Sequence, residues 1–428
     1  MRLPILAIAA LFALSGCNRP NPPGDAPTGV QAIDGDGLVL VSWDMHPDLT
    51  YWIFYQAGDS VAVASPQSIA IRNPTSPHVV GNLINGTQYA FVMNATNNGS
   101  AAGPNSLTVV AKPRLAGDTP TWTSGTPLPL GGPPQNLKSI AFSGTRFVVV
   151  GDAATILAGD LNYTNNDPAA LGVTAWVPVP ATSLPPTFAA DLSSVIYNGT
   201  FVALGTDGSI ISSIDGLTWT ANGQISASGM NGLSFGLASG VATYIAVGNG
   251  GQIFSSTDLN LVGWPQLNSG TTSDLTSISA LPGSFLVTGA GGTLLTSLNG
   301  STWSPLVSNT ASTLRGAVFN PNPLVTNHYV AVGDAGTIVA SADSVSWNPI
   351  PPSAITPPLT QDLRGVTVGG ATASRFLAVG QGGAVAFSDD GLNWSSASAG
   401  SSNNLAGVVY SPGMYLAVGD AGANAVSK

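Results

Sequence analysis

A short phrase written seven times constrains this chain more than any other feature. It reads apolar-x-apolar-Gly-x-x-Gly/Ala, and its first glycines are Gly151, Gly205, Gly248, Gly289, Gly333, Gly380 and Gly419. Seven tryptophans recur with it: Trp122, Trp176, Trp219, Trp264, Trp303, Trp347 and Trp394. Seven apolar residues open the copies: Leu137, Leu192, Met230, Leu275, Leu314, Leu363 and Leu405. The period lies in the low to middle forties, which is the length of one small four-stranded sheet with its turns. A sheet of that size has two apolar faces and cannot bury both alone, so the copies must stack on one another.

The order of the marks says how the stack ends. Trp122 precedes any opening residue, and the last copy, from Leu405 to Lys428, has no tryptophan. The strand around Trp122 is therefore expected to complete the sheet begun at Leu405, which closes a ring and leaves no free edge. The reading is an all-β chain with a seven-bladed β-propeller over residues 116–428. Composition agrees: 52 Gly and 32 Pro suit many short strands and turns, and charged residues are only 7%.

The region before the ring divides further. Residues 1–16 carry Arg2, an apolar run from Leu3 to Leu14 and then small residues, the form of a bacterial signal peptide. Leu14-Ser15-Gly16-Cys17 resembles the lipobox of bacterial lipoproteins. That resemblance implies cleavage before Cys17, acylation of its thiol and amine by palmitate-type chains, and membrane attachment through the lipid. Cys17 is the only cysteine, so no intrachain disulfide forms. Asn18 in the next position implies the outer membrane, with either a periplasmic or a surface-facing orientation. Residues 17–24 form a Pro-rich tether. Residues 25–113 alternate in polarity as strands do. With Trp43 as a core tryptophan and Tyr89 placed like a tyrosine corner, they resemble a fibronectin type III domain, an immunoglobulin-like sandwich. Trp52 and Tyr55 are read there as strand packing.

Three copies share the pattern Ser-x-Asp/Asn-Gly-x-Thr/Asn-Trp: Ser213, Asp215, Gly216 and Trp219; Ser297, Asn299, Gly300 and Trp303; Ser388, Asp390, Gly391 and Trp394. Asp-Gly and Asn-Gly are tight-turn pairs, and the Ser and Asp side chains can bond turn amides. The pattern resembles the Asp-box of sialidase-superfamily (BNR) propellers, where it is a structural turn on the face away from the ligand mouth. Ser256–Trp264 and Ser341–Trp347 look like decayed versions. With the Gly turn, the whole repeat resembles bacterial propellers related to photosystem II assembly and stability factors. The resemblance covers the repeats alone.

A binding mouth is expected where the loops into the innermost strands gather. Three of these loops are long and Pro-rich, 123–136, 177–191 and 348–362, which predicts a lopsided mouth. The residue after each opening residue is Lys138, Ser193, Asn231, Thr276, Arg315, Arg364 or Ala406, so Lys138, Arg315 and Arg364 form one basic arc around the ring. The Gly turns add Asp152, Asp334 and Asp420. These six are the candidate partner-binding residues, either as a recognition arc with forks suited to carboxylates or as salt bridges that orient turns. Asp191, Asp274 and Asp362 precede opening residues where Asn136 and Asn404 stand elsewhere, and read as turn formers.

The sequence disfavours several chemistries. A formal net charge of −10 with 11 Lys+Arg leaves no basic stripe for nucleic acid. No glutamate is present, so the tyrosine–glutamate machinery of sialidases has no counterpart. His46, His78 and His328 are scattered, and no metal or cofactor is expected. The leading expectation is a non-catalytic, lipid-anchored scaffold of the cell envelope whose propeller mouth binds a protein partner. The alternatives are a glycan- or cell-wall-binding module and a sialidase-like glycosidase.

Overall fold

The computed structural model describes residues 22–35, 37–46, 48–97, 101–113, 122–162, 172–225, 227–323, 325–369, 375–411 and 413–427. The signal segment 1–16, Cys17 and the tether as far as residue 21 lie outside the described residues. Among the described residues no helix is long and apolar enough to cross a membrane. The chain forms two compact units. One holds the chain up to Ala32 together with Val41–His78 and Gln88–Val110; the other holds Ile33–Leu40, Val79–Thr87 and everything from Ala111.

The first unit is built on a sheet in the order Ile69–Arg72, Leu49–Ala57, Tyr89–Asn97, Val109–Ala111. Leu49–Ala57 and Tyr89–Asn97 pair antiparallel along their whole lengths. Alternation puts Tyr51 and Ile53 on one face, and both are buried. Trp43 is buried against Tyr51, with ring centroids 5.5 Å apart. On the other face the Arg72 guanidinium stands 4.8 Å over the Trp52 ring, an across-strand cation–π contact that occupies that aromatic surface. Tyr89 opens its strand and is buried.

The second unit contains the ring. Seven sheets of four or five strands follow one another, and each opens at the residue the repeat marks. Blade 5 is typical, with strands Leu314–Phe319, Tyr329–Gly333, Ile338–Ser341 and Asn348–Pro349. The innermost strands are neighbours in cyclic order, and Leu405–Ser411 of blade 7 lies beside Leu137–Phe142 of blade 1. Blade 7 takes its fourth strand from Trp122–Ser124, where Ser427 pairs Trp122 and Ala425 pairs Ser124. The expected closure is the observed one.

Apolar cores fill the space between consecutive blades. Val330, Val332 and Ile338 of blade 5 meet Leu363, Phe376 and Trp394 of blade 6, for example. The second strands are near-continuous apolar runs because both of their faces are covered. A fourth repeated mark stands four residues before each turn glycine. An aromatic ring stands near the start of each second strand: Phe147, Phe201, Tyr244, Phe285, Tyr329, Phe376 and Tyr415. In four blades it meets the blade's own tryptophan in a tilted pair, at centroid distances of 6.3 Å for Phe147–Trp176, 6.2 Å for Tyr244–Trp264, 6.4 Å for Tyr329–Trp347 and 6.1 Å for Phe376–Trp394.

The repeated glycine has a direct cause. A Cβ on Gly333 would strike the carbonyl oxygen of Thr313, and one on Gly380 that of Asp362. The close approach lets the following amide bond that same oxygen, as Asp334 N does to Thr313 O at 2.9 Å and Gln381 N to Asp362 O at 2.8 Å. The position two residues further on differs. Gly382 has φ 62° with open space around it, and Ala335 and Ala421 hold the same left-handed place at φ 54° and 53°. Gly333→Ala is therefore expected to destabilise by about 3 kcal/mol or more, as overpacking against backbone does. Gly382→Ala should cost only about 1 kcal/mol, the left-handed penalty alone. Urea unfolding of the two variants checks the order, and equal costs would contradict this account of the turn.

Candidate functional site

The mouth is shaped by a β-bulge repeated in every blade. In blade 5 Leu314 pairs Gly333 and Gly316 pairs Val332, so Arg315 has no opposite residue. The same skip occurs at Lys138, Ser193, Asn231, Thr276, Arg364 and Ala406. A bulge re-aims its extra residue, and all seven line one central cavity of about 810 Å³. The next residue inward is always small (Ser139, Ser194, Gly232, Ser277, Gly316, Gly365 or Gly407), because the neighbouring inner strand passes close by. A Cβ on Gly365, for instance, would lie 2.6 Å from the carbonyl oxygen of Ala406. Ile140, Val195, Leu233, Ile278, Val366 and Val408 follow, so the cavity is polar at the rim and apolar further in.

Of the six candidate partner-binding residues, Lys138, Arg315 and Arg364 line this cavity, and Asp152, Asp334 and Asp420 stand beside them as their ion-pair partners. Lys138 binds Asp152 of its own turn and lies 3.9 Å from Asp191 of blade 2. Arg315 binds Asp334 of its own turn. Arg364 reaches across the blade junction, with Nη1 3.9 Å from Asp420 Oδ2 in blade 7, and its buried Nε has no hydrogen-bond partner. Seven aspartates stand on the loops and turns of this face: Asp152, Asp191, Asp207, Asp274, Asp334, Asp362 and Asp420. They outnumber the three cations. The arc read from the sequence as basic is charge-paired, within a rim that carries a net negative charge.

Asp191, Asp274 and Asp362 are more than local turn formers. Each accepts an amide from the turn of the preceding blade: Ala153 N to Asp191 Oδ1 at 2.8 Å, Gly250 N to Asp274 Oδ1 at 2.8 Å, and Ala335 N to Asp362 Oδ1 at 2.9 Å. Asn404 and Asn136 do the same with the amides of Gly382 and Ala421, at 3.0 and 3.3 Å. Five of the seven junctions are latched in this way. Gly229 and Thr313 hold the place at the other two. Sequence reasoning saw that Asp and Asn interchange here, but the bonded amide belongs to another repeat.

The long loops do not crown the mouth as expected. Ser183 accepts the Trp219 amide at 2.8 Å, and Ile355–Thr356 adds a parallel strand beside Trp394–Ser398. The extra residues of 177–191 and 348–362 thus run along the outer edges of blades 2 and 6. The third long loop is tied to the closing blade, with Leu128 N bonded to Gly422 O at 2.9 Å.

The box residues form turns on the opposite face. Asp215 Oδ1 accepts the amides of Leu217 and Thr218 at 2.8 and 2.9 Å and the Ser213 hydroxyl at 2.9 Å. Gly216 N donates to Ser213 Oγ and Trp219 Nε1 to Gly216 O. Asp390 repeats this with Leu392, Asn393 and Ser388, and Gly391 N with Ser388 Oγ. Ser341–Trp347, read as decayed, keeps the network: Asp343 accepts the amides of Val345 and Ser346, while Ser344 takes the glycine place at φ 65°. In Ser256–Trp264 Asp258 accepts the Asn260 amide. The Thr218 amide, with those of Leu217 and Asp215 and the Ser213 hydroxyl, holds Asp215 below the usual carboxylate range. Burial pulls Asp390 upward, but the Asn393 and Leu392 bonds outweigh it. The Ser346 and Val345 amides bring Asp343 down from 3.8 to about 2.

Among the described residues no group of three or more His, Cys, Asp or Glu is arranged to hold a metal ion. No family model matches the chain, and no curated protein matches it. Solved structures do. One described as YCF48 bound to D1 peptide is 16% identical, covers 72% of this chain and 96% of its own, and superposes with a TM-score of 0.55. YCF48 from Cyanidioschyzon merolae is also 16% identical, with coverage of 72% and 98% and a TM-score of 0.49. The WD40 β-propeller domain of Doa1 is 11% identical, with 72%, 97% and 0.49. At these identities the likeness concerns the fold, a β-propeller.

Two predictions follow from the latches and the boxes. Asp362→Asn should be near neutral, because Asn404 and Asn136 do the same work, whereas Asp362→Ala should cost about 1 kcal/mol for the orphaned amide. Urea unfolding distinguishes them, and a costly Asn variant would refute the latch. A carboxylate with a lowered folded pKa stabilises the fold above its unfolded value and loses that contribution as pH falls through the folded one. The melting temperature should therefore fall as pH drops from 3.8 toward about 2. Asp215→Asn/Asp343→Asn/Asp390→Asn should flatten that fall, and an unchanged slope would place the acid sensitivity elsewhere.

Proposed function

We propose that this chain is a non-catalytic, lipid-anchored binding protein of the bacterial cell envelope, attached to the outer membrane through Cys17. In this reading residues 17–24 are the tether, 25–113 a fibronectin type III-like spacer, and the propeller over 116–428 takes a segment of a protein partner at its mouth, in the manner of an assembly factor. The observation that carries it is the open cavity of about 810 Å³ whose polar rim changes to an apolar interior. That gradient suits a peptide that anchors an apolar side chain and bonds through polar groups at the rim. The fold likeness to a propeller described as bound to a peptide supports the same reading.

The ion pairs decide which rim residue matters most. Lys138 and Arg315 are held by carboxylates of their own turns. Arg364 makes only a long contact to Asp420, so the outer nitrogens of its half-buried guanidinium keep donor capacity for a partner's carboxylate or carbonyl. The experiment is capture from solubilised envelope with the mature protein, with Arg364→Ala and with Lys138→Ala, each first checked for an unchanged melting transition. A partner captured by the wild type is expected to be lost, by about tenfold or more, with Arg364→Ala and largely kept with Lys138→Ala. Equal capture by all three would place the contact outside the rim. Selective retention on peptidoglycan or glycan beads would favour a glycan-binding module.

A further inference from the structure

Asn299 stands where the other well-formed boxes carry Asp215, Asp343 and Asp390. Its carbonyl oxygen accepts from four donors: Ser301 N at 3.0 Å, Thr302 N at 2.9 Å, Thr302 Oγ1 at 3.0 Å and Ser297 Oγ at 3.2 Å. Donors gathered on one carbonyl oxygen stabilise the negative charge that builds there when its carbon is attacked. The next residue is Gly300, whose amide nitrogen has no Cβ beside it to hinder approach. In the aspartate boxes that glycine amide is tied up, Gly216 N to Ser213 Oγ at 2.7 Å and Gly391 N to Ser388 Oγ at 2.9 Å. Among the described residues Gly300 N makes no such bond, although Ser297 Oγ donates to Asn299 Oδ1 just as Ser213 Oγ and Ser388 Oγ donate to their aspartates. Among the described residues Asn299 Nδ2 bonds no protein group, and Asn299 is exposed to water.

We infer that Asn299 is a self-modification site: in the folded protein its side-chain amide converts to a carboxylate and completes a further aspartate box. In the first step Gly300 N attacks Cγ of Asn299, the bond from Cγ to Nδ2 breaks, and Nδ2 leaves as ammonia with the proton from Gly300 N. The product is a five-membered imide. In the second step water adds at Cγ, the bond from Cγ to Gly300 N breaks, and the nitrogen takes back a proton. The net change is asparagine plus water to aspartate plus ammonia, with no oxidant or cofactor. Oδ1 remains the imide oxygen held by the same donors, so they steer water to Cγ and restore the normal main chain.

The other described Asn-Gly pairs lack this combination. Gly86 N, Gly223 N and Gly250 N are bonded to Pro113 O, Leu259 O and Asp274 Oδ1. The leaving nitrogens of Asn198 and Asn231 are held by Tyr244 Oη and by Asn249 Oδ1 and Leu275 O.

The test follows the mass of peptides from the full chain, kept folded in mildly alkaline buffer or unfolded in urea. Asn299 is expected to convert ahead of the other Asn-Gly pairs, and about tenfold faster folded than unfolded. The product should be aspartate, giving little labelling by an isoaspartyl methyltransferase. Asn299→Asp should melt no lower than the wild type. Thr302→Val, which removes one donor to Oδ1, should fold and convert more slowly. Slower conversion in the folded chain, isoaspartate as the main product, or an unchanged rate in Thr302→Val would each overturn the inference.

Discussion

The ring depends on one constraint: a four-stranded blade has two apolar faces and only its neighbours can cover them. Every inter-blade core is shared, so an open end would expose a sheet face and a strand edge together. The chain avoids both by pairing Trp122–Ser124 with Asn424–Ser427 of the last blade. This contact has the longest sequence separation in the propeller. Once it forms, the seven inner strands are held around a central cavity, and the bulges and turns at the mouth acquire fixed neighbours.

The mouth is made from the same groups that hold the blades together. The bulged residue, the turn aspartate and the latch residue before the opening position bond within a blade, as Arg315 does to Asp334, and across junctions, as Asp362, Asn404 and Arg364 do. Polar side chains that look available in the sequence are therefore already engaged. What is left over at this rim is Arg364 among the cations and the apolar residues among the walls. An abundance of carboxylates here reflects backbone amides that need acceptors, and does not by itself signal acid–base chemistry.

The opposite face runs on a different principle. Each box is a local network of a serine, an acidic or amide side chain and two amides within a few residues. It tolerates Ser344 in place of glycine because the hydrogen bonds, rather than the glycine, define the turn. The second box is the exception, with Asn299 in the place of the acid. There the serine bonds the asparagine as the other serines bond their aspartates, but among the described residues the glycine amide is left without a bond.

The sequence by itself determined the repeat number, the blade boundaries, the turn glycines, the box turns and the closing strand. These depend on bonds within one repeat or on a pattern copied seven times, and both are visible in linear order. Tertiary structure alone decided the rest. The bulge that turns Lys138, Arg315 and Arg364 into the cavity is a matter of register. The latch from Asp362 to the Ala335 amide, the bond from Asn136 to the Ala421 amide and the reach of Arg364 to Asp420 join different repeats. The outward course of 177–191 and 348–362 depends on which blade edge is open to a further strand. Partners that lie in neighbouring repeats are set by the curvature of the closed ring, and no spacing along the chain encodes that.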